Sequence, residues 1–578
     1  MAGRRISDST KLLVLSLLVG LGSGLAVVVL EKGIDLIQSL ILPVVNKGGF
    51  SWGALLFPSV GMLVSMLLVK YVVRDNIGHG VTKVLLAVSR QESRIRPHNM
   101  WSSIATSAFT IGFGGSVGAE APLVYAGAAI GSNIGQAFKL PYRGVTILVG
   151  CGAAGAIAGV FKAPLAGILF TMEILLFNVS MGSMMPLLLS SLTATVISYL
   201  LIGPDTPFKC TIAPFYMGNM PYYLVLGVLC GFCSLYFTRL TLWLEDKFSR
   251  LENPWVKWLI CSVGLGICIF LFPPLFGEGY NFLGKLLTGS VWDFDGESPV
   301  LGMLNVSWGV PLFVLLVLLV KVVSMTLTNS GGGVGGTFGP TLFVGALTGF
   351  VAVRSLTLAG IALPEQNFVL VGMAGLMAGV MQAPMTAIFL IAEITGGYEL
   401  LLPLILCSAV SFGTTRIWEK YSIYTKRIAQ SGDLLTHDSD QAVLTLMNLK
   451  DIVSDKYPHL YLEQKLSDVM PVIIGSNVQV FPVLEKDGHL AGLLEMDEIR
   501  KYLVDPKAGR MPLRRLMTIP QEIVHEDEKM ESVMRKFDRC RAWRLPVLDS
   551  SGKYVGCISR SRILTAYRQE LKQISAED

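Results

Sequence analysis

GGSVGAEAP, at Gly114–Pro122, is a glycine-rich stretch that holds one acid and leads into the apolar run LVYAGAAIG. The acid is Glu120, and a lone carboxylate among small apolar residues is costly enough to be a functional candidate. Glycines before a proline that opens an apolar helical pattern predict a helix N-terminus with uncovered backbone N–H groups. Such a terminus carries partial positive charge and binds anions, so we expect Glu120 to lie where an anion would bind.

The same pattern recurs at Gly332–Pro340, which reads GGVGGTFGP and leads into TLFVGALTG. Phe338 stands at the position that Glu120 has in the first stretch. Because only one of the two stretches carries an acid, a purely structural role for the carboxylate is the weaker interpretation. We expect the rest of the chain to support these two helix ends.

The composition places most of the chain in a membrane. Of the 578 residues, 52% are hydrophobic and 15% are charged, whereas soluble chains average about 25% charged residues. The 60 glycines are typical of tightly packed and broken membrane helices. The net charge of +5 is small and spread along the chain, so nucleic acid is not an expected partner. We expect no metal or other cofactor.

Two halves of the apolar region repeat each other. AGVFKAPLAGILFTMEI (158–174) matches AGVMQAPMTAIFLIAEI (378–394) at an offset of 220. The first span, Leu12–Leu30, follows a basic start and is expected to run outward, whereas Tyr223–Trp243 has a charged far end and is expected to run inward. The halves are therefore predicted to be inverted. Inverted repeats of short, interrupted helices are typical of transporter and channel cores, where helix ends meet near the midplane.

The tail after Ile428 has ordinary polar content and its own repeat. QVFPVLEKDGHLAGLLEMDEI (479–499) matches WRLPVLDSSGKYVGCISRSRI (543–563) at an offset of 64, and each copy predicts strand, turn, strand and helix. The expected divisions are an N-terminus (1–10), a first membrane half (11–210), a second membrane half (211–427), a linker (428–444) and two copies of the tail unit (445–508 and 509–574).

Together these motifs resemble the CLC family of chloride channels and chloride/proton antiporters, with a tail similar to a tandem pair of CBS domains. The resemblance covers about Thr10 to Leu571. It implies an all-α polytopic membrane protein, built as an inverted repeat of broken helices, with a C-terminal α/β tandem CBS module. It also implies a homodimer in the lipid bilayer with one chloride pore in each subunit.

The resemblance assigns roles to individual residues. Glu120 is the gate, and the backbone N–H groups of Thr337 and Phe338 and the hydroxyl of Tyr424 hold chloride. His79 stands where the family usually has a serine. For His79, the alternative is a residue at a helix start that faces water. For Tyr424, the alternative is a tyrosine that only packs against its neighbours. Neighbouring positions of the same motifs complete the expected chloride path: Gly78, Gly80, Gly118, Ala119, Ala121 and Gly336. Where the family usually has a basic residue next to the gate this chain has Ala119, which should weaken attraction of chloride there.

The family's antiporters usually carry an inner proton-accepting glutamate, and Ile174 takes that position here. We therefore expect passive, channel-like conduction, with chloride/proton antiport as the alternative. Glu173 and its repeat mate Glu393 are expected to cap or pair at helix ends. A CBS-regulated divalent-cation transporter would need convergent carboxylates in the core, which offers few. A membrane-anchored enzyme is not favoured, because no nucleophile with a base and an orienting group stands out.

Two further expectations concern the tail and the location. Nucleotide-binding CBS pairs usually have Ser or Thr followed three residues later by Asp. The corresponding pairs here are Glu495 with Glu498 and Ser559 with Arg562, so nucleotide binding is not expected. The protein is expected to be a multi-pass protein of the cell (plasma or inner) membrane, with its N-terminus and CBS module in the cytoplasm.

Overall fold

The computed structural model describes residues 8–46, 53–75, 77–90, 93–175, 181–204, 212–288, 300, 309–430, 447, 449–502, 508–528, 530–540 and 542–576. Contacts divide the chain into two compact units, Met1–Leu435 and Thr436–Asp578. The predicted N-terminus (1–10) lies mostly outside the described residues, and so does most of the predicted linker (428–444). The first unit is helical and the second mixes strands with helices.

The first unit contains both long and short helices. Its α-helices are α1 (Asp8–Asn46), α2 (Gly53–Leu67), α3 (Gly80–Arg90), α4 (Asn99–Gly112), α5 (Glu120–Ala137), α6 (Tyr142–Phe161), α7 (Pro164–Ile174), α8 (Met181–Leu201), α9 (Met220–Ser249), α10 (Pro254–Leu271), α11 (Tyr280–Thr288), α12 (Gly309–Ser330), α13 (Phe338–Leu358), α14 (Glu365–Met381), α15 (Pro384–Ile394), α16 (Leu401–Trp418) and α17 (Ile423–Gln430).

Nine helices of the described part of the chain are long and apolar enough to cross a membrane. Four other apolar helices are shorter, among them α7 and α15 with 11 residues each. A simple crossing needs about 20 residues. The predicted fold class, a polytopic helical protein with broken helices and an α/β tail, is thus confirmed.

Several predicted boundaries were wrong. α1 runs to Asn46, well past the expected end at Leu30, and the expected span Tyr223–Trp243 lies inside the longer helix α9, Met220–Ser249. The sequence pattern placed Pro122 at the opening of a helix, but α5 begins two residues earlier, at Glu120. Proline has no N–H to donate, so it fits anywhere in the first turn, where N–H groups have no partner within the helix.

The inverted repeat is visible in the contacts between the halves. The backbone N–H of Gly118 donates to the carbonyl of Gly336 at 3.1 Å, and the N–H of Gly336 donates back to Gly118 at 2.7 Å. The two glycines occupy equivalent positions, each two residues before the start of α5 or α13. Such an exchange of identical bonds is what an approximate two-fold axis between the halves requires.

Glu173 and Glu393 join the halves in the same reciprocal way. The carboxylate of Glu173 accepts from the backbone N–H groups of Met385 (3.0 Å) and Thr386 (2.7 Å), at the start of α15. The carboxylate of Glu393 accepts from Leu165 (3.0 Å) and Ala166 (2.8 Å), at the start of α7. Each acid therefore caps the repeat-related helix, which gives both residues the structural role that the sequence predicted.

The second unit contains two copies of one motif. Strands β1 (Leu460–Tyr461), β2 (Val480–Leu484) and β3 (Leu490–Glu495) form one sheet, and β4 (Val524–His525), β5 (Arg544–Leu548) and β6 (Tyr554–Ser559) form the other. In each sheet the first pair is parallel and the second is antiparallel. The helices are α18 (Leu449–Ile452), α19 (Leu466–Ile474), α20 (Met496–Ile499), α21 (Met530–Cys540) and α22 (Arg560–Ala576).

The two copies are related by the offset of 64 residues that the sequence indicated. Both turns have a glycine with positive φ, Gly488 at 90° and Gly552 at 85°. The short first strand and the helix after it were not predicted. Packing crosses the predicted boundaries, because Leu449 and Ile452 lie in the core of the second copy, whereas Leu513 and Leu516 lie in the core of the first.

Candidate functional site

Glu120 is the first residue of α5, and its side chain reaches the start of the repeat-related helix α13. Its Oε2 accepts from the backbone N–H of Gly339 at 3.2 Å, and its Oε1 accepts from the hydroxyl of Tyr280 at 2.5 Å. The side chain is buried, with 1% of the residue exposed. The carboxylate thus occupies a helix N-terminus, as expected of an anion, but the helix belongs to the other half of the molecule.

Two glycines make room for this carboxylate. A Cβ on Gly118 would lie 2.2 Å from Oε2 of Glu120, and a Cβ on Gly339 would lie 3.1 Å from Oε1. The first distance is far below van der Waals contact, so the folded-back carboxylate requires glycine at position 118. The glycines of the GGSVGAEAP stretch therefore serve a close approach of backbone to a charged group.

Tyr424 and Thr337 lie together at the start of α13. The hydroxyl of Thr337 donates to Oη of Tyr424 at 3.3 Å, and both residues are buried. Phe338, which follows Thr337, packs its ring against Phe161 and Phe170, with centroid distances of 5.4 and 6.1 Å. The structure therefore places the two backbone positions and the hydroxyl assigned to chloride next to each other.

The remaining glycine motif approaches the same region. A Cβ on Gly80 would lie 2.3 Å from the carbonyl oxygen of Ala121, and a Cβ on Gly336 would lie 2.8 Å from Cβ of Ala121. Ala121 thus lies between the start of α3 and the strand-like segment before α13. Two other expected positions are close in sequence to the residues of this contact. Gly78 has a φ of 48°, and Ala119 is the residue before α5.

His79 faces an acid. Its Nε2 lies 3.4 Å from Oε1 of Glu245, and the same carboxylate binds the guanidinium of Arg427 at 2.6 Å. Arg427 lies on α17, the helix that also carries Tyr424. The imidazole, at the start of α3, therefore lies beside the Glu245–Arg427 ion pair that connects α9 and α17. Ile174 is buried, with 4% exposure, at the end of α7.

Two charged residues of the site were missed by the sequence reasoning. Glu278 accepts from the backbone N–H of Ala119 at 3.0 Å. Lys321 is completely buried in α12 and donates to Oγ of Ser116 at 2.9 Å and to the carbonyls of Gly277 and Glu278 at 3.3 Å each. Lys321 is a lone cation in an apolar run, so the rule that singled out Glu120 could have found it.

The site combines helix N-termini from both halves, a buried carboxylate that occupies one of them, and a buried cation. Backbone N–H groups at helix starts can bind a small anion without a metal or a cofactor. Among the described residues, no group of three or more His, Cys, Asp or Glu side chains could hold a metal ion.

Two family models match this chain. The family model for the voltage gated chloride channel matches residues 60–416, and the CBS domain model matches residues 449–505 and 513–569. A putative chloride channel protein ClcB-like from Ralstonia nicotianae is 27% identical over 66% of this chain and 87% of its own. The H(+)/Cl(-) exchange transporter ClcA from Salmonella arizonae is 26% identical over 75% of this chain and 92% of its own.

A solved structure shares the fold over nearly the whole chain. The crystal structure of a eukaryotic CLC transporter aligns with a TM-score of 0.61 and 17% identity, over 96% of this chain and 98% of that one. The family match covers more than half of the 578 residues and includes both glycine-rich helix starts. This chain is therefore an integral membrane protein that belongs to the voltage-gated chloride channel family and carries a C-terminal pair of CBS domains.

Proposed function

We propose that the protein conducts chloride and similar small anions across a membrane, through a pore in each chain that Glu120 gates. The observation that carries this proposal is the bond between the Glu120 carboxylate and the N–H of Gly339 at the start of α13. A carboxylate and a chloride ion compete for the same donors, since both are anions attracted by a helix N-terminus. Release of the carboxylate would leave those donors to a permeating anion.

The test is chloride efflux from liposomes that contain the purified full-length protein. Valinomycin and potassium dissipate the membrane potential that chloride efflux would otherwise build up. Under an outward chloride gradient, we then expect efflux above that of protein-free liposomes. A protein that is folded and inserted but gives no efflux would contradict the proposal. Efflux of a divalent cation instead of chloride would favour the CBS-regulated cation transporter.

Conduction is proposed to be passive. The inner proton position of the family is Ile174 here, which cannot accept a proton. The neighbouring acid Glu173 has both carboxylate oxygens engaged by N–H groups of α15 and by the hydroxyl of Thr386 at 2.7 Å. An acid held in this way is a poor proton carrier. The alternative is chloride/proton antiport, which the name of the Salmonella relative keeps open.

The wider setting is also a proposal. We infer a homodimer with one anion path per subunit, in the cell (plasma or inner) membrane, with the N-terminus and the CBS pair on the cytoplasmic side. The basic start of the chain supports this orientation through the positive-inside tendency. The tail is proposed to serve dimer contacts and coupling to the pore, and the protein is proposed to have no enzymatic activity.

A further inference from the structure

The anion site has two carboxylates, and each one occupies a backbone donor next to the start of one of the two repeat-related helices. Glu120 accepts from Gly339, the second residue of α13. Glu278 accepts from Ala119, the residue immediately before α5. Each of the two helix starts therefore has a backbone donor in use. The two donors are not at equivalent positions, and the acids that use them come from different places in the sequence. Glu278 lies in GEGY (277–280), which is not part of the GxExP motif.

The second carboxylate is built into the site. The backbone of the GEGY segment is fixed by Lys321, whose ammonium donates to the carbonyls of Gly277 and Glu278. The N–H of Gly277 also donates to the carbonyl of Gly114 at 3.0 Å, which ties the segment to the start of the GGSVGAEAP stretch. These bonds hold the Glu278 side chain beside Ala119. Glu278 remains partly exposed whereas Glu120 is buried, so Glu278 lies closer to water.

Charge balance limits how many anions this region can hold. Glu278 interacts electrostatically with Glu120 of α5, Lys321 of α12 and Glu31 of α1. Tyr280, at the start of α11, interacts with three acids, Glu120, Glu278 and Glu31. Glu31 in turn interacts with Lys162 and Asp35. When Glu120 and Glu278 are both ionised, they carry more negative charge than the buried Lys321 balances, so a further anion is repelled until one carboxylate moves away or takes up a proton.

We propose that Glu278 is a second gate, which competes with the permeating anion for the backbone N–H of Ala119 while Glu120 competes for that of Gly339. This inference rests on the proposed anion transport. The Ala119 position of the expected chloride path is then available to a small monovalent anion only when Glu278 leaves. We also expect flux to depend on the protonation of two acids, not one, so that some pH dependence survives the loss of Glu120.

The first test measures chloride efflux from liposomes against external pH for four full-length proteins: wild type, Glu120→Gln, Glu278→Gln and the double variant. We expect Glu278→Gln to raise efflux at pH 7.5 by roughly tenfold, the factor for one lost bond to a charged group. We expect Glu120→Gln to keep a residual rise of efflux at low pH, and the double variant to lose it. Glu31→Gln is the matched control, since it neutralises a neighbouring acid and should change efflux much less.

The second test locates the anion directly. Crystals or cryo-cooled grids of the Glu120→Gln protein and of the Glu120→Gln, Glu278→Ala protein are prepared in bromide. We expect bromide within hydrogen-bond distance of the Ala119 nitrogen only in the double variant. An unchanged pH profile in Glu278→Gln, an equal effect of Glu31→Gln, or no bromide at Ala119 would overturn the second gate. If the wild type and Glu120→Gln both fail to move chloride, the proposed transport itself is wrong.

Discussion

At the residue scale, the proposed gating depends on a carboxylate that can take the place of the transported ion. Glu120→Gln keeps the shape of the side chain but removes its charge, so the amide competes less well for the Gly339 N–H than the carboxylate does. We expect higher chloride efflux at neutral pH and loss of most of the rise in efflux at low pH. Efflux from liposomes between pH 4.5 and 7.5 measures this, and a variant with the full wild-type pH dependence would contradict the gate.

Tyr280 stabilises the closed position of that carboxylate through the 2.5 Å bond from its hydroxyl. A hydrogen bond to a charged group contributes about 1.5–3 kcal/mol. Tyr280→Phe should therefore favour release of Glu120 and raise efflux at neutral pH roughly tenfold or more. Tyr216→Phe, which changes an exposed tyrosine, is the control. Equal efflux from the Tyr280 variant and the control would show that the bond does not hold the gate.

The sequence could single out Glu120 as the candidate gate but could not predict the partners of its carboxylate. Glu120 is recognisable because it is the one acid in an apolar, glycine-rich stretch. Its bonds to Gly339 and Tyr280 join residues far apart in the sequence, and only the fold brings them together. Glu278 was not predicted as a site residue because it lies among glycines after a span. From sequence alone, such an acid cannot be distinguished from an acid in an exposed loop. His79 was expected on the chloride path, and its contact with Glu245 joins residues 166 positions apart in the sequence, which only the fold brings together.

At the scale of elements, the reciprocal caps on α7 and α15 give a testable role to two acids. Glu173→Ala or Glu393→Ala leaves N–H groups at a helix start without their acceptor, which costs about 0.5–2 kcal/mol per cap. We expect a lower melting temperature of the detergent-solubilised protein and no change in the pH dependence of efflux. Glu252→Gln, an exposed acid between α9 and α10, is the control.

The outcome distinguishes a structural role of Glu173 from a role in proton transfer. If Glu173→Ala leaves the melting temperature unchanged but alters the pH dependence of chloride efflux, Glu173 acts as a proton carrier and the capping role is insufficient. Loss of stability with an unaltered pH profile is the result that the two bonds to the α15 backbone lead us to expect.

Repeats were the elements best predicted from sequence. The matching stretches 158–174 and 378–394 contain the ends of α6 and α14 and the whole of α7 and α15, with equivalent bounds. The two glycine-rich stretches both begin with a glycine in the left-handed region, since φ is +99° at Gly114 and at Gly332. Helix ends were predicted less well, because apolar composition does not mark where a long helix stops. α1 continues through Glu31 and Lys32 to Asn46, beyond the apolar run that suggested its length.

At the scale of the whole molecule, the CBS pair adds a question about ligands. Position 495 is Glu and position 562 is Arg, and the hydroxyl of Ser559 is bound to Ser561 Oγ at 3.2 Å and to the Arg562 N–H at 3.3 Å. We therefore expect no ATP binding at micromolar concentration. Calorimetry on the full-length protein checks this. We expect ATP injected into the protein to give the same heat as ATP injected into buffer. A saturable heat at micromolar ATP would contradict it.

The measurement that tests passive chloride conduction most directly is the reversal potential of the purified protein in liposomes with opposed chloride and pH gradients. Passive conduction predicts a potential equal to the chloride equilibrium potential, unmoved when the pH gradient is changed or removed. Ile174, in place of an inner acid, is the residue on which this expectation depends. A potential that shifts with the pH gradient in a fixed chloride-to-proton ratio would contradict it and establish antiport.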